Sequence, residues 1–320
     1  MLRVFKFQKG GVKTGSLSDL GSSSKCWADC VNPTPKEIKE ISEIAKISLH
    51  VLKETIDKDE RPKVSDLENY SLIVVRTPWV EHDHIRTTPI SIFISKNKNN
   101  VITVTLKETH SIKRIRQLIK TNKIDLSNDG LSFFVFRLLD EVLETYFYIL
   151  DTIEEKIDKI EDRVVSEPGK ISVQNIFSVK KTLIFFHKAL TANREVIASI
   201  EKEYVAHIDK KNVKRFRTLY DDVTQLIDTE GTYRDILTGT LDIYLTSVSN
   251  NLNQVMKTLT IIASFVLIPT LISGIYGMNF VFMPEIHTAL GIKYGYFFAL
   301  GLMVLSITLT YIFFKRKGWL

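Results

Sequence analysis

Residues 258–284 read TLTIIASFVLIPTLISGIYGMNFVFMP and contain no Lys, Arg, Asp, Glu or His. A second uncharged run, YGYFFALGLMVLSITLTYIFF, occupies residues 294–314. A hydrocarbon core of about 30 Å takes about 20 helical residues to cross, and both runs reach that length. The reading is two transmembrane helices, 258–279 and 294–314, joined by an outer loop over 280–293. Lys257 precedes the first run, and Lys315, Arg316 and Lys317 follow the second as a basic tail over 315–320. The loop carries only Glu285, His287 and Lys293. The positive-inside rule then puts both chain ends in the cytoplasm and the loop outside. The opening MLRVFKFQKGG has no apolar stretch of signal-peptide length, so residues 1–257 are expected to stay cytoplasmic.

Upstream of Thr258, charges recur every few residues. The net charge is +6, but the Lys and Arg residues are scattered and match no nucleic-acid-binding pattern, so no nucleic acid partner is expected. Cys26 and Cys30 form a lone C-x₃-C pair, which does not make a zinc site by itself. No nucleophile–base pair and no phosphate-binding loop stands out, which argues against an enzyme.

Residues 1–130 read as a mixed α/β cytoplasmic domain. The stretch 35–52, PKEIKEISEIAKISLHVL, has helical apolar spacing, with Thr34 and Pro35 as start signals. Strand signals follow at 71–77 (SLIVVRT), 90–95 (ISIFIS) and 101–106 (VITVTL), with a turn at 96–100 making the last two a hairpin. Over 131–257 the strand signals vanish. A long helix with an acidic stripe is predicted over 133–165, and Pro168-Gly169 breaks it. A second helix returns antiparallel over about 173–207, completing a helical hairpin. A third pattern starts near Asn212 and keeps steps of three and four into the first span, apart from one step of five at Gly231. About 65 residues at 1.5 Å each give one helix roughly 100 Å long, patterned to pack against neighbouring helices.

Two spans cannot enclose an aqueous path alone, because polar surface at membrane depth must be covered by protein. Yet one face of the first span carries Asn253, Met256, Thr260, Ala263, Leu267, Thr270 and Gly274, while Ile261, Val266, Leu271 and Ile272 make the opposite side apolar. In a ring of copies the first face would line a narrow channel. The same small residues also suit close helix packing. The second span, aliphatic and aromatic with Gly295 and Gly301, reads as an outer, lipid-facing layer.

The first span ends in Tyr276-Gly277-Met278-Asn279-Phe280, followed by Met283-Pro284-Glu285. Gly-Met-Asn at this place resembles the signature of the CorA family of magnesium channels. Arg61-Pro62-Lys63, Tyr233-Arg234-Asp235-Ile236, residues 241–250 (LDIYLTSVSN) and Val255-Met256-Lys257 resemble the family too, so the likeness spans nearly the whole chain. It implies a pentameric, funnel-shaped homo-oligomer in the cell membrane that carries Mg²⁺ into the cytoplasm. The filter would be Gly277, Met278 and Asn279. Mg²⁺ gives up its water reluctantly, so neutral oxygens of Asn279 and Gly277 suit the hydrated ion, and glycine would let the backbone turn sharply. The resemblance also makes Asn253 a pore asparagine, Leu259 and Leu267 hydrophobic constrictions, Glu285 an outer-mouth attractor, and Lys315, Arg316 and Lys317 a basic collar. No ATP site is seen; a dication crossing 100 mV gains about 4.6 kcal/mol.

One family feature is missing. An acidic pair before Arg-Pro-Lys faces an aspartate of the next subunit in the family pattern, and binds a regulatory Mg²⁺. Here those positions hold Lys53, Glu54 and Thr218. The candidate regulatory acids are therefore Glu54, Asp57 and Asp221, with Asp59 and Asp222 nearby. Glu81-His82-Asp83-His84, in a turn between strands, reads as surface residues rather than a metal site. Transport of Co²⁺, Ni²⁺ or Zn²⁺ and a membrane-tethered coiled-coil scaffold are the competing readings; Met278 favours the magnesium branch over the zinc one.

Overall fold

The computed structural model describes residues 1–320 except 9–10, 23–24, 82–83, 98–99, 122, 125, 167–172, 203–207, 209 and 279–290. It comprises two compact units, Met1–Leu241 and Asp242–Leu320.

The first unit is built on seven strands: β1 (Leu2–Gln8), β2 (Gly11–Thr14), β3 (Cys26–Val31), β4 (Lys63–Asp66), β5 (Tyr70–Glu81), β6 (His84–Ser95) and β7 (Asn100–Thr105). They run in the order β2-β1-β3-β7-β6-β5-β4, with β3 and β7 parallel and every other pair antiparallel. Side chains alternate between faces. Leu72 and Val74 therefore join Cys26, Ala28 and Cys30 against Ile38, Ile41 and Leu52 of the helices α1 (Pro35–Ala45) and α2 (Leu49–Glu54). Ile73 and Val75 join Trp27, Ile90 and Ile92 on the other face, against α3 (His110–Lys120), α4 (Leu126–Ser166), α5 (Val173–Glu201) and α6 (Lys210–Tyr276). The result is a sheet sandwiched between helical layers.

The three strands read from the sequence are present, and β6 and β7 pair antiparallel; residues 98–99 of the expected turn lie outside the described ones. Four strands were not foreseen. β3 is the instructive one, because its centre holds Asp29, only 1% exposed. Arg116 of α3 places Nε 3.0 Å from Asp29 Oδ2 and donates through Nη1 to Glu108 at 2.8 Å. Burial pushes the Asp29 carboxyl up to about 6, against the pull of Arg116 and Arg3.

The single helix expected over 35–52 is two. Thr34 caps α1 as predicted: its hydroxyl accepts from Glu37 N at 3.3 Å and its own N donates to the Glu37 carboxylate at 2.7 Å. Lys46 then adopts φ +57°, the left-handed region, and stops the helix. Ser42 Oγ donates to Ile47 O at 2.7 Å and holds the reversal, after which buried Ile47 leads into α2.

α4 follows the expected helix, with Gly130 at φ +81° as a break just ahead of the periodic stretch. α5 ends at Glu201, Lys202 is a turn residue, and residues 203–207 of the expected length lie outside the described ones. Asn193 of α5 ties the helical layer to the sheet. β4 pairs β5 only as far as Val74. At Arg76, Asn193 Oδ1 accepts from the backbone N at 2.9 Å and Nδ2 donates to the carbonyl at 2.8 Å, which also accepts from the Tyr146 hydroxyl at 3.1 Å, so the edge left by β4 is satisfied by side chains. Glu230 of α6 is fully buried and lies 2.7 Å from His187 Nδ1 on α5.

The second unit holds the last part of α6 and the final helix, α7 (Gly291–Arg316). Both helices are long and apolar enough to cross a membrane, with mean hydropathies of 2.1 and 2.2 in their most apolar windows.

Candidate functional site

α6 runs through the first apolar stretch without interruption, despite Pro269. Within the second unit its two faces differ. Lys257, Ile261, Ser264, Phe265, Pro269, Ile272 and Tyr276 are half-buried, three or four residues apart apart from the adjacent Ser264 and Phe265. α7 answers with Ala299, Thr310 and Phe314, all buried, and Phe265 meets Phe314 at a ring separation of 6.2 Å. At 100° per residue, the positions Asn253, Met256, Thr260, Ala263, Leu267, Thr270 and Gly274 fall on the opposite side of the helix. Every one of them is exposed, as is Leu259.

The apolar side expected behind that stripe is split. Ile261 and Ile272 lie on the face covered by α7, whereas Val266 and Leu271 are exposed. Leucine and isoleucine look alike in a hydropathy pattern, so the position of the partner helix is not legible there.

The stripe offers oxygen acceptors. Thr260 Oγ1 donates to Met256 O at 2.8 Å and Thr270 Oγ1 to Val266 O at 2.7 Å. Each hydroxyl proton is thus committed to the helix itself, leaving oxygen lone pairs for water. Leu267 is 70% exposed and Leu259 58%, large apolar groups on a face that no described residue of the chain covers.

At the end of α6, Gly277 N donates to Ser273 O at 2.9 Å and Met278 N to Ile275 O at 3.2 Å. The backbone of Gly277 is not left-handed; the described glycines with positive φ are Gly11, Gly130 and Gly318. A β-carbon at Gly277 would instead lie 3.2 Å from Ser273 O, so close backbone packing is what favours glycine. Met278 is exposed, and Asn279 and Glu285 lie outside the described residues. Lys315, Arg316 and Lys317 are exposed at the end of α7, with Lys315 Nζ 5.8 Å from the Tyr311 ring.

The candidate regulatory acids are dispersed. Glu54 sits 3.4 Å from His50 and 3.6 Å from Lys63. Asp57 accepts from Asp59 N at 3.0 Å, and Asp221 is 3.7 Å from Arg217. Among the described residues no group of three or more His, Cys, Asp or Glu side chains is placed to hold a metal. Cys26 and Cys30 are thiols buried on one face of β3, and burial pushes the Cys30 thiol up. His82 is outside the described residues. One acidic group was seen in the sequence only as part of a stripe: Asp140 and Glu144 of α4 lie near Asp222 of α6. Burial raises Asp140, and burial with Glu144 and Asp221 raises Asp222. Arg137 is ion-paired to Asp140 and to Glu141.

A family profile described as CorA-like Mg2+ transporter protein matches residues 22–316. The chain belongs to this family. It is 33% identical over 296 residues to the cobalt/magnesium transport protein CorA of Methanocaldococcus jannaschii, covering 92% of this chain and 91% of that protein. It is 34% identical over 302 residues to the cobalt/magnesium transport protein CorA of Thermotoga maritima, covering 93% and 84%. The complete CorA structure from M. jannaschii matches with a TM-score of 0.88 at 30% identity, covering 100% of this chain and 99% of that one. The cytoplasmic domain of ZntB from Vibrio parahaemolyticus, at 14% identity and a TM-score of 0.63, shares the fold of the soluble part. The α/β unit, the long helix and the two apolar C-terminal helices are thus those of the CorA family.

Proposed function

We propose that this chain is one subunit of a homo-oligomeric channel, a pentamer, that carries hydrated Mg²⁺, and Co²⁺ as an alternative cargo, into the cytoplasm. It is a transporter in the cell membrane and not an enzyme. The observation that carries the reading is the exposed stripe from Asn253 to Gly274, turned away from α7 and leading to Gly277. One chain leaves that face bare. Polar groups at membrane depth need protein or water, and a ring of copies supplies both.

In this reading the threonine oxygens and Asn253 hydrate the path, and Leu259 and Leu267 form apolar rings that close it by expelling water. The amide oxygens of Asn279 and the carbonyl of Gly277 accept hydrogen bonds from the water shell of the ion. Neutral oxygens orient that shell without stripping it, and they release the ion again. Glu285 attracts cations to the outer mouth, and Lys315, Arg316 and Lys317 form a collar on the cytoplasmic side. The membrane potential drives entry, at about 4.6 kcal/mol per dication for 100 mV. Domain limits at 130/131 and 257/258 separate the α/β part, the helical stalk and the spans. Mg²⁺ also regulates, through Glu54, Asp57 or Asp221 meeting acids of a neighbouring subunit; this explains why one chain gathers no metal cluster among its described residues.

Proteoliposomes loaded with a Mg²⁺ indicator test the reading. Wild type is expected to take up Mg²⁺ under an inside-negative potential, and Asn279→Ala to lose at least about tenfold of that rate, the equivalent of about 1.4 kcal/mol. Equal uptake by the two proteins would remove the channel and leave the tethered scaffold.

A further inference from the structure

Lys257 is the last charge before the uncharged run of the first span. An ammonium on the conducting face would oppose every entering cation. Lys257 lies instead on the half-buried face, and the structure shows what holds it there: its Nζ donates to Gly318 O at 3.1 Å and lies 5.9 Å from the centre of the Trp319 ring.

The geometry of the acceptor follows from how α7 ends. Gly318 has φ +67°, the left-handed conformation that L side chains rarely adopt. Its N donates to Lys315 O at 3.1 Å, and Trp319 N donates to Phe314 O at 2.9 Å. These two bonds, with glycine at the turning position, make a Schellman cap. The apolar contact that accompanies such a cap is present, because Trp319 stacks on Phe314 at 5.5 Å and 14°. Phe314 in turn meets Phe265, eight residues beyond Lys257 and on the same side of α6. The cap therefore grips the first span at two levels, through a carbonyl at Lys257 and an aromatic ring at Phe265.

We propose that Gly318 and Trp319 form a latch that positions the inner end of the pore helix and keeps the Lys257 charge off the conducting face. The inference rests on the channel reading above. Lys257 and Trp319 are positioning residues, since neither touches the ion. Releasing the latch lets Lys257 swing toward the path, and one positive charge per subunit at its narrow inner end depletes cations there.

Two measurements test the latch. In Mg²⁺ uptake by proteoliposomes, Trp319→Ala is expected to lower the rate about tenfold, the low end of what a focused field does to local ion concentration. Adding Lys257→Gln to that variant is expected to restore most of the loss, because the neutral side chain no longer repels the cation. A Trp319→Ala rate equal to wild type, or a loss that persists in the double variant, overturns the proposal; persistence marks Trp319 as a mere packing residue. Independently of flux, a water-soluble amine reagent should modify Lys257 several-fold faster in Trp319→Ala than in wild type, read by mass spectrometry, and equal rates would also overturn it. If wild type and Asn279→Ala carry Mg²⁺ equally while the labelling difference remains, the channel reading fails and the contact stands without its proposed role.

Discussion

The sheet of residues 2–105 and the helices of the second unit are both rich in Ile, Leu, Val and Phe, and they dispose of them in opposite ways. In the sheet, every residue of β7 is buried, and β3 is buried over Cys26–Cys30. Helices cover both faces of the sheet within one chain. In the second unit none of the most apolar window of α6 is buried, and only 11% of that of α7. Composition alone does not separate these cases. What separates them is whether the chain supplies its own partner surface, and a segment that does not must find it in lipid or in further copies.

This contrast can be broken by substitutions of equal kind. Phe186, fully buried on α5, packs edge-on against Tyr146 at 4.9 Å. Phe186→Ala is expected to cost about 3 to 5 kcal/mol in the chemical unfolding of the detergent-solubilised protein. Val304 of α7 is exposed, and Val304→Ala is expected to change the same quantity by less than about 0.5 kcal/mol. Similar costs at the two positions would mean that the second unit has a core of its own.

A smaller effect comes from the buried Asp29. Its carboxyl is raised from 3.8 to about 6, so the folded chain holds that proton more tightly than the unfolded one. The resulting stabilisation is complete below about pH 4 and is lost as pH rises through about 6, a change on the order of 2 to 3 kcal/mol. Unfolding free energies measured from pH 4 to pH 7 should show this fall in wild type, and Asp29→Asn should remove it. An unchanged slope in the variant would assign the pH dependence to other groups.

The parts of the fold that were legible are those where pattern and partner coincide. β5, β6 and β7 are runs of branched residues, and α6 keeps steps of three and four over most of its length. β3 was not legible, because CWADCV shows a carboxylate at its centre and the cation that accompanies it lies 87 residues away on α3. β4, KVSD, is short and polar, and nothing local marks it. The α1–α2 break was hidden for another reason: Lys46 takes a left-handed conformation that glycine or asparagine would have announced.

At the candidate site, the stripe could be read from residue spacing, but its meaning depended on where α7 packs. Two apolar faces look alike until one is covered. Gly318 carries a local signal, since glycine just after a helix with basic residues in its last turn is an ordinary stop. Its consequence for Lys257 needs a contact across 61 residues.

The central claim is that the exposed face of α6, and not the face against α7, borders water in the assembled protein. Cysteine accessibility tests it directly, because the native Cys26 and Cys30 are fully buried and leave a low background. Single cysteines at Thr260, Ala263 and Thr270, and at Ser264 and Phe265 on the covered side, would be treated in proteoliposomes with a membrane-impermeant thiol reagent applied from both sides while Mg²⁺ uptake is followed. The account predicts rapid modification and block at 260, 263 and 270, with 264 and 265 unmodified. Modification confined to 264 and 265, or to neither set, would contradict it.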